Sequence, residues 1–323
     1  MAAVFVVVLA VCSKKNPVRV DSTIRNNTAD TTWRALGTFR GEVSSLAVSG
    51  STIFAGTTRY GILRSLDNGE TWIPVNNGFK WAPEVTSLAV KESSVYVGTA
   101  DMGLAVTSDN GSSWVDIPNE YGIKHITAFL VYESNILFST FYDIYLSKDF
   151  GVTWKRMASE TIGRINALIE FNDLNFIAGT SEGVYISNLD AKNWLPIQNG
   201  LGSLSKFIRT MAVHDSVIFL GTPVGVWSSS NSGLNWEEKC GGIGYDKGIS
   251  CFAFTGTHLY CGATFSSPED TVHQNTVFVT ADRGTSWKPA SHGLSNRSVN
   301  ALAVLSTFLF AGTDSGIWRR SLQ

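Results

Sequence analysis

Short apolar segments alternate with polar turns along most of the chain, and apolar and polar residues alternate with a period of two inside many segments. A typical unit starts with an apolar strand such as 43–48, continues with a second strand that closes on Gly-Thr, as in Ile53–Thr57, and then has a third strand that opens with Gly-Ile or Gly-Val. Such alternation, with polar turns roughly every 8–12 residues, predicts short β-strands and excludes a helical repeat.

Seven tryptophans mark the start of the fourth strand in successive units: Trp33, Trp72, Trp114, Trp154, Trp194, Trp236 and Trp287. Their spacings are 39, 42, 40, 40, 42 and 51 residues. Four short strands in each unit of about 40–45 residues are typical of a β-propeller blade. We therefore predict an all-β fold for residues 31–323, a seven-bladed β-propeller of four-stranded antiparallel blades.

The two ends of the repeat region predict how the ring closes. The region begins with a lone fourth strand at 33–36 and stops after a third strand at Gly316–Ser321. Pairing of the N-terminal strand with the C-terminal blade removes two free sheet edges, which would otherwise invite association with other chains.

The first thirty residues differ from the repeats. Residues 1–11 are almost wholly apolar, which is too short to cross a bilayer but fits the core of a secretory signal. The run Leu9–Cys12 resembles a bacterial lipobox, in which the cysteine is lipidated. We predict a signal peptide over 1–12 with Cys12 as the lipidation site, and a linker over 13–30. A plain signal peptide or a buried N-terminal strand are the alternatives, and the predicted location is extracytoplasmic.

An eight-residue motif joins the third and fourth strands. It reads SLDNGETW at Ser65–Trp72 and recurs at Thr107–Trp114, Ser147–Trp154 and Thr280–Trp287, whereas Ser229–Trp236 has Asn231 in place of the aspartate. The motif resembles the Asp-box, or bacterial neuraminidase repeat, and the repeats cover about nine tenths of the chain. Sialidases, xyloglucan-degrading glycosidases, sortilin-type receptors and the photosystem II assembly/stability factor share this propeller type. The single propeller with an export signal is most similar to the assembly factor, which implies a binding or assembly role.

The residue types of the motif have a structural explanation. The aspartate is expected to accept hydrogen bonds from the turn, the glycine to supply a positive φ, and the tryptophan to bury its ring between blades. A role in calcium binding or catalysis is disfavoured because the carboxylates lie one per blade. We predict structural roles for Asp67, Trp72, Asp109, Trp114, Asp149, Trp154, Asp282 and Trp287.

Composition narrows the function further. The formal net charge is −2 and charged residues make up 16% of the chain, which does not suggest a nucleic-acid partner. The four cysteines and five histidines show no metal-ligand spacing, so neither a metal nor a cofactor is predicted. Cys251 and Cys261 flank a tight turn, which leaves two alternatives open: a cross-strand disulfide or two packed thiols.

Basic residues precede the first strand of every blade: Arg40, Lys80, Lys124, Arg164, Arg209, Lys247 and Arg297. Because first strands surround the channel of a propeller, these side chains are predicted to ring its mouth and attract an anionic ligand. The alternative is ordinary solubilising charge, since acids such as Glu42 and Glu84 lie beside them. Trp81, Tyr142 and Tyr245 lie in the same loops and suit stacking or protein contacts.

One blade carries an insertion at 265–276, which no stability argument explains and which we interpret as a partner site. The residues singled out in it are Phe265, Glu269, Asp270 and His273. The functional hypothesis is an exported, non-catalytic scaffold that recognises a protein or glycan through this loop face, with membrane contact only through a lipid anchor. The alternative is a glycoside hydrolase, which requires two carboxylates about 5–10 Å apart across the mouth.

Overall fold

The computed structural model describes residues 31–37, 39–141, 143–157, 162–173, 175–245, 247–264, 275–294 and 297–322. Residues 1–30, among them Cys12, lie outside the described part, as do Tyr142 and the insertion residues Phe265, Glu269, Asp270 and His273. The described part contains no helical segment with the length and hydrophobicity needed to span a bilayer. Its only regular helix is a single 3₁₀ turn at Ser203–Ser205.

The strands form seven four-stranded antiparallel sheets, here called blades A to G. Strand β1 (Arg34–Leu36) comes first in the chain and belongs to blade G. The other strands follow blade by blade, from the innermost outward: in A, β2 (Val43–Ser49), β3 (Thr52–Thr57), β4 (Ile62–Ser65) and β5 (Ile73–Pro74); in B, β6 (Val85–Lys91), β7 (Ser94–Thr99), β8 (Leu104–Thr107) and β9 (Val115–Ile117); in C, β10 (Ala128–Tyr132), β11 (Asn135–Ser139), β12 (Ile144–Ser147) and β13 (Lys155–Met157); in D, β14 (Ile165–Phe171), β15 (Asn175–Thr180), β16 (Val184–Asn188) and β17 (Leu195–Pro196); in E, β18 (Thr210–His214), β19 (Val217–Thr222), β20 (Gly225–Ser229) and β21 (Glu237–Glu238); in F, β22 (Gly248–Phe254), β23 (Leu259–Thr264), β24 (Val277–Thr280) and β25 (Lys288–Pro289); in G, β26 (Val299–Leu305), β27 (Phe308–Thr313) and β28 (Gly316–Ser321).

The innermost strands form a closed ring. Each first strand contacts those of both neighbouring blades, in the order β2, β6, β10, β14, β18, β22, β26 and back to β2. The predicted all-β, seven-bladed propeller is therefore confirmed.

The core lies between the blades. Second strands are covered on both faces, and five of their phenylalanines are fully buried: Phe54, Phe138, Phe176, Phe219 and Phe310. Phe54, for example, packs with Leu88 and Val95 of the next blade and with Trp114. Burial on both faces explains why second strands read as nearly continuous apolar runs.

The ring closes where the sequence predicts. Strand β1 pairs antiparallel with β28, with Arg34 opposite Arg319 and Leu36 opposite Ile317. Trp33 is buried and donates from Nε1 to the carbonyl of Ala290, 2.7 Å away. The chain ends therefore share blade G, as expected.

The cysteines of blade F are free and buried. Cys251 pairs with Gly262 and Cys261 with Phe252, so the two residues are one register step apart. Successive side chains of a strand point to opposite faces, and the two thiols accordingly belong to different core clusters. Of the two alternatives, the structure contains packed thiols, and burial raises the pKa of Cys251 to about 12.

Candidate binding site at the mouth of the channel

All seven first strands begin on the same face of the ring, here called the mouth face. The connections between blades and the turns between second and third strands also lie there. The opposite face, here called the motif face, carries the turns between third and fourth strands. The predicted ligand-binding residues belong to the mouth face, and the eight-residue motifs belong to the motif face.

A β-bulge begins the first strand in five blades. The register shifts between Val43 and Ser45, and equivalent shifts occur in blades B, D, F and G. Bulges re-aim side chains and are frequent beside functional sites. We define the inner rim by two residues of each blade: the residue that precedes Val43 or its equivalent, and the residue that follows Val43 or its equivalent and, where the register shifts, lies within the shift. In blade order these are Glu42 and Ser44; Glu84 and Thr86; His125 and Thr127; Arg164 and Asn166; Phe207 and Arg209; Gly248 and Ser250; Ser298 and Asn300.

Most bulge residues connect neighbouring blades. The hydroxyl of Ser44 donates to the carbonyl of Val85 at 2.7 Å. Asn166 and Asn300 donate their amide N–H to the equivalent carbonyls of the next blades, at 2.8 and 3.1 Å. Ser250 makes the same bond to Val299. A small polar side chain at this position therefore holds adjacent blades together around the channel.

Blade E has no register shift, and Arg209 occupies the position that the bulge residue holds in the five blades with a shift. Its Nη1 donates to Thr264 Oγ1 of blade F at 2.8 Å. A Cβ on Gly248 would lie 2.1 Å from Nη1, so the glycine makes room for the guanidinium. Partial burial lowers the pKa of Arg209, but arginine stays charged at physiological pH. Departures from a repeated structural rule are expected at functional positions.

The other predicted basic residues do not form an even ring. Arg40, Lys80 and Lys124 are exposed, Arg164 and Arg297 are half-buried, and Lys247 is buried at 3% exposure. Arg40 turns back onto the carbonyls of Gly37 and Phe39, and Arg297 donates to Ser315 Oγ. Only Arg164 and Arg209 belong to the inner rim.

Arg164 ends a stack of three side chains. Its guanidinium carbon lies 5.0 Å from the ring centroid of Phe141. Phe141 in turn stacks on His125, with centroids 4.6 Å apart and planes 19° from parallel. His125 Nδ1 is 3.0 Å from the carbonyl of Ala100. The stack links blade B to blade D and holds the Arg164 charge beside the channel.

Carboxylates occupy the rim on the opposite side. Glu42 and Glu84 hold in blades A and B the position that Arg164 holds in blade D. The protein atoms crowded around Glu42 raise its pKa, and the charges of Asp314 and Glu84 add to this effect, whereas Thr58 and Arg59 lower it. In the sequence these acids stand out only as neighbours of the basic residues. An alignment of the blades on the residue that precedes Val43 or Val85 would have identified them.

Trp81 is a rigidly held aromatic beside these acids. The residue is 53% exposed, and its Nε1 donates to Asp101 Oδ2 at 2.9 Å. Asp101 Oδ1 also accepts from the backbone N–H of Glu84 at 3.2 Å. Lys80 Nζ lies 5.4 Å from the centroid of the same ring. Tyr245, near blade F, is 69% exposed, and a hydrogen bond with Glu238 raises its pKa.

The motif aspartates bond within their own turns. Asp109 Oδ1 accepts from the backbone N–H of Ser113 at 2.9 Å, Oδ2 accepts from the Ser113 hydroxyl at 2.6 Å, and Thr107 Oγ1 donates to Oδ1 at 2.7 Å. These bonds lower the pKa of Asp109 to about 2. Asp67, Asp149 and Asp282 bond in the same way. Asn231 repeats the bonds of Oδ1 to the backbone and to Ser229.

The motif tryptophans pack between blades. Trp114, Trp154 and Trp287 are buried, and each donates from Nε1 to a carbonyl of the preceding blade, such as Val75 for Trp114 at 2.7 Å. Trp72 is partly buried and donates to Gly69 of its own turn at 2.9 Å.

A cavity of about 250 Å³ lies on the motif face between blades E and F. Glu237, Lys239, Asp282 and Arg283 are among its lining residues. None of the predicted ligand-binding residues lines it. Among the described residues, no group of three or more His, Cys, Asp or Glu side chains is arranged to hold a metal ion.

Comparison with known proteins supports the fold but identifies no family for this chain. No protein-family model matches the chain, and no curated protein matches it. A structure of YCF48 bound to D1 peptide is 17% identical with a TM-score of 0.70, covering 90% of this chain and 94% of that one. The extracellular domain of BT4673 from B. thetaiotaomicron is 14% identical with a TM-score of 0.72, covering 90% and 40%. An ancestral GH74 enzyme is 16% identical with a TM-score of 0.65, covering 89% and 45%. At such identities the likeness shows the fold alone, that of a seven-bladed β-propeller.

Proposed function

We propose that this protein is an exported binding or assembly module that captures a segment of a partner protein at the mouth face. The observation that carries the proposal is Arg209, a guanidinium in a position that four other blades give to a small residue bonding the blades together. A rigid ring that presents arginines beside exposed aromatic side chains suits recognition of an acidic peptide. YCF48, which has the same propeller fold and whose structure contains a bound D1 peptide, is a precedent for this proposal.

A peptide array and a glycan array, probed in parallel with the full-length protein, test the proposal. We expect capture of acidic peptides that is lost in Arg164→Gln/Arg209→Gln and kept in the matched control Arg40→Gln/Lys124→Gln, whose side chains lie outside the inner rim. Binding to glycans alone, or equal loss in both variants, would contradict it.

Glycoside hydrolysis is the second candidate, and one observation favours it. Burial raises the pKa of Glu42, and the charges of Asp314 and Glu84 add to this effect; a raised pKa is one property that a general acid needs. Incubation with the glycans of the array, followed by product detection, separates the two candidates. Turnover that disappears in Glu42→Gln would replace the binding proposal with an enzymatic one.

We also propose that the eight-residue motifs are Asp-boxes with a structural role, and that residues 1–12 direct export. In this proposal Cys12 carries a lipid and residues 13–30 form a linker to the ring. The mass of the protein purified from the membrane fraction tests the anchor. A mature N-terminus at residue 12 carrying acyl chains is expected, and a Cys12→Ser variant is expected in the soluble fraction.

A further inference from the structure

The inner rim is electrically divided. Its acidic side chains are Glu42 in blade A and Glu84 in blade B, and its arginines are Arg164 in blade D and Arg209 in blade E. In a ring of seven, blades A and D are three steps apart in one direction and four in the other, and so are B and E. Each acid therefore lies across the channel from an arginine.

The two charged sides keep their charges apart. Arg209 bonds to Thr264 of blade F, and Arg164 lies over Phe141 of blade C, so these contacts stay on the basic side, between blades C and F. Glu42 is affected by Asp314, Arg59 and Glu84, all of blades G, A and B. Among the described residues, no ion pair joins Glu42 or Glu84 to Arg164 or Arg209 across the channel. The opposed charges thus remain a feature of the mouth instead of neutralising each other.

The acidic side also holds an unused hydrogen-bonding group. Thr86 occupies the bulge position two residues after Glu84 and is 1% exposed, and its Oγ1 has no hydrogen-bond partner among the described residues. Its counterparts Ser44 and Asn166 bond to the next blade from the same position. A buried polar group without a partner is costly, and a water or a ligand group that displaces the atoms covering it would satisfy it.

Resting on the proposed function, we infer that the partner segment is dipolar: an extended peptide with a basic and an acidic side chain, bound in one orientation. The basic group lies over Glu42 and Glu84, where Trp81 offers an aromatic face, and the acidic group lies over Arg164 and Arg209. Complementary charges mainly fix specificity and orientation, because wrong pairings are penalised. A peptide of uniform charge would gain from one side of the mouth and be repelled by the other.

The test uses four fluorescein-labelled model peptides on the full-length protein. One carries two lysines and two glutamates at opposite ends of a Gly-Ser spacer, two carry only one of these charged blocks, and one is uncharged. Anisotropy titration at low salt is expected to give the dipolar peptide an affinity about tenfold above that of either single-block peptide. The advantage should disappear at high salt, a measurement that needs no variant.

Two double variants test which side of the mouth binds each charged block of the peptide. Glu42→Gln/Glu84→Gln should remove only the contribution of the lysine block, and Arg164→Gln/Arg209→Gln only that of the glutamate block. A dipolar peptide that binds no better than the single-block peptides would overturn the inference, as would variants that weaken all peptides equally. If array-selected peptides require the arginines but are indifferent to Glu42 and Glu84, the inference fails while the proposed function stands. If no array peptide binds, the proposed function itself fails.

Discussion

Arg319 of β28 donates from Nη2 to Oε1 of Glu70 at 2.6 Å, which joins the last strand of the chain to the motif turn of blade A. The Arg319 side chain is only 5% exposed and lies 4.2 Å from the centroid of Phe308. Arg34 of β1 reaches the same carboxylate oxygen. Glu70 thus accepts hydrogen bonds from both strands of the terminal pair, β1 and β28, and connects them to blade A.

Loss of this carboxylate should weaken ring closure. Glu70→Ala leaves the buried Arg319 guanidinium without its carboxylate, and we expect the free energy of unfolding to fall by about 1–2 kcal/mol, since Glu70 itself is half-exposed. Urea unfolding measures the change. Glu237→Ala is the matched control because the Glu237 side chain is 76% exposed, and it should stay within about 0.5 kcal/mol of wild type. Equal effects would contradict the role given to Glu70.

The motif aspartates should stabilise the fold mainly because their Oδ1 atom accepts hydrogen bonds, and less because they are charged. Asp109→Ala removes both carboxylate oxygens that accept hydrogen bonds in the turn and should lower Tm. Asp109→Asn should lower Tm much less, because Asn231 already makes the same Oδ1 bonds. The lowered pKa of Asp109 means that its stabilisation is present above the ordinary pKa of 3.8 and is lost as pH falls towards about 2. Tm measured between pH 2 and 7 should therefore fall more steeply for wild type than for Asp109→Asn.

Glu42 should reduce the stability of the fold. Its raised pKa means that the folded protein holds the proton more tightly than the unfolded chain does. Stability therefore falls as pH rises from the unfolded value of 4.5 through the raised folded value, and the full penalty is present above it. Glu42→Gln should raise Tm at pH 8 and give no gain at pH 4. A variant less stable than wild type at pH 8 would contradict this prediction.

Gly248→Ala tests the position of Arg209 without changing any charge. The new Cβ would lie 2.1 Å from Nη1, so the flexible guanidinium must move away from Thr264. Affinity for the glutamate-block peptide should fall severalfold while the circular dichroism spectrum stays unchanged. Gly256→Ala, where a Cβ meets nothing within 4 Å, is the control and should bind as wild type does.

The three described cysteines should be inert in the folded protein. In a Cys12→Ser background at pH 8, we expect Ellman's reagent to titrate no thiol before denaturation and three afterwards. Burial raises the pKa of Cys240 to about 11 and that of Cys261 well above its usual range. A disulfide formed under mild oxidation in the native state would contradict the observed register.

Much of the fold could be predicted because the regular spacing of tryptophans and Gly-Thr dipeptides reveals the repeat. The pairing of β1 with β28 followed from a missing fourth strand. The site was harder to predict because loop position is a coarse guide: Lys247 and Arg209 both precede a first strand, yet one is buried and the other reaches Thr264. In five blades a one-residue bulge decides which side chains reach the rim, and Cys251 and Cys261 show the same effect of a single register step.

The direction of β1 has a practical consequence. Its first residue lies on the motif face, because a fourth strand runs from that face towards the mouth, and it forms the outer edge of blade G. A domain or surface attached ahead of Trp33 is therefore joined to the ring on the motif face and at its outer edge. A sensor surface or display scaffold attached there would leave the opening unobstructed.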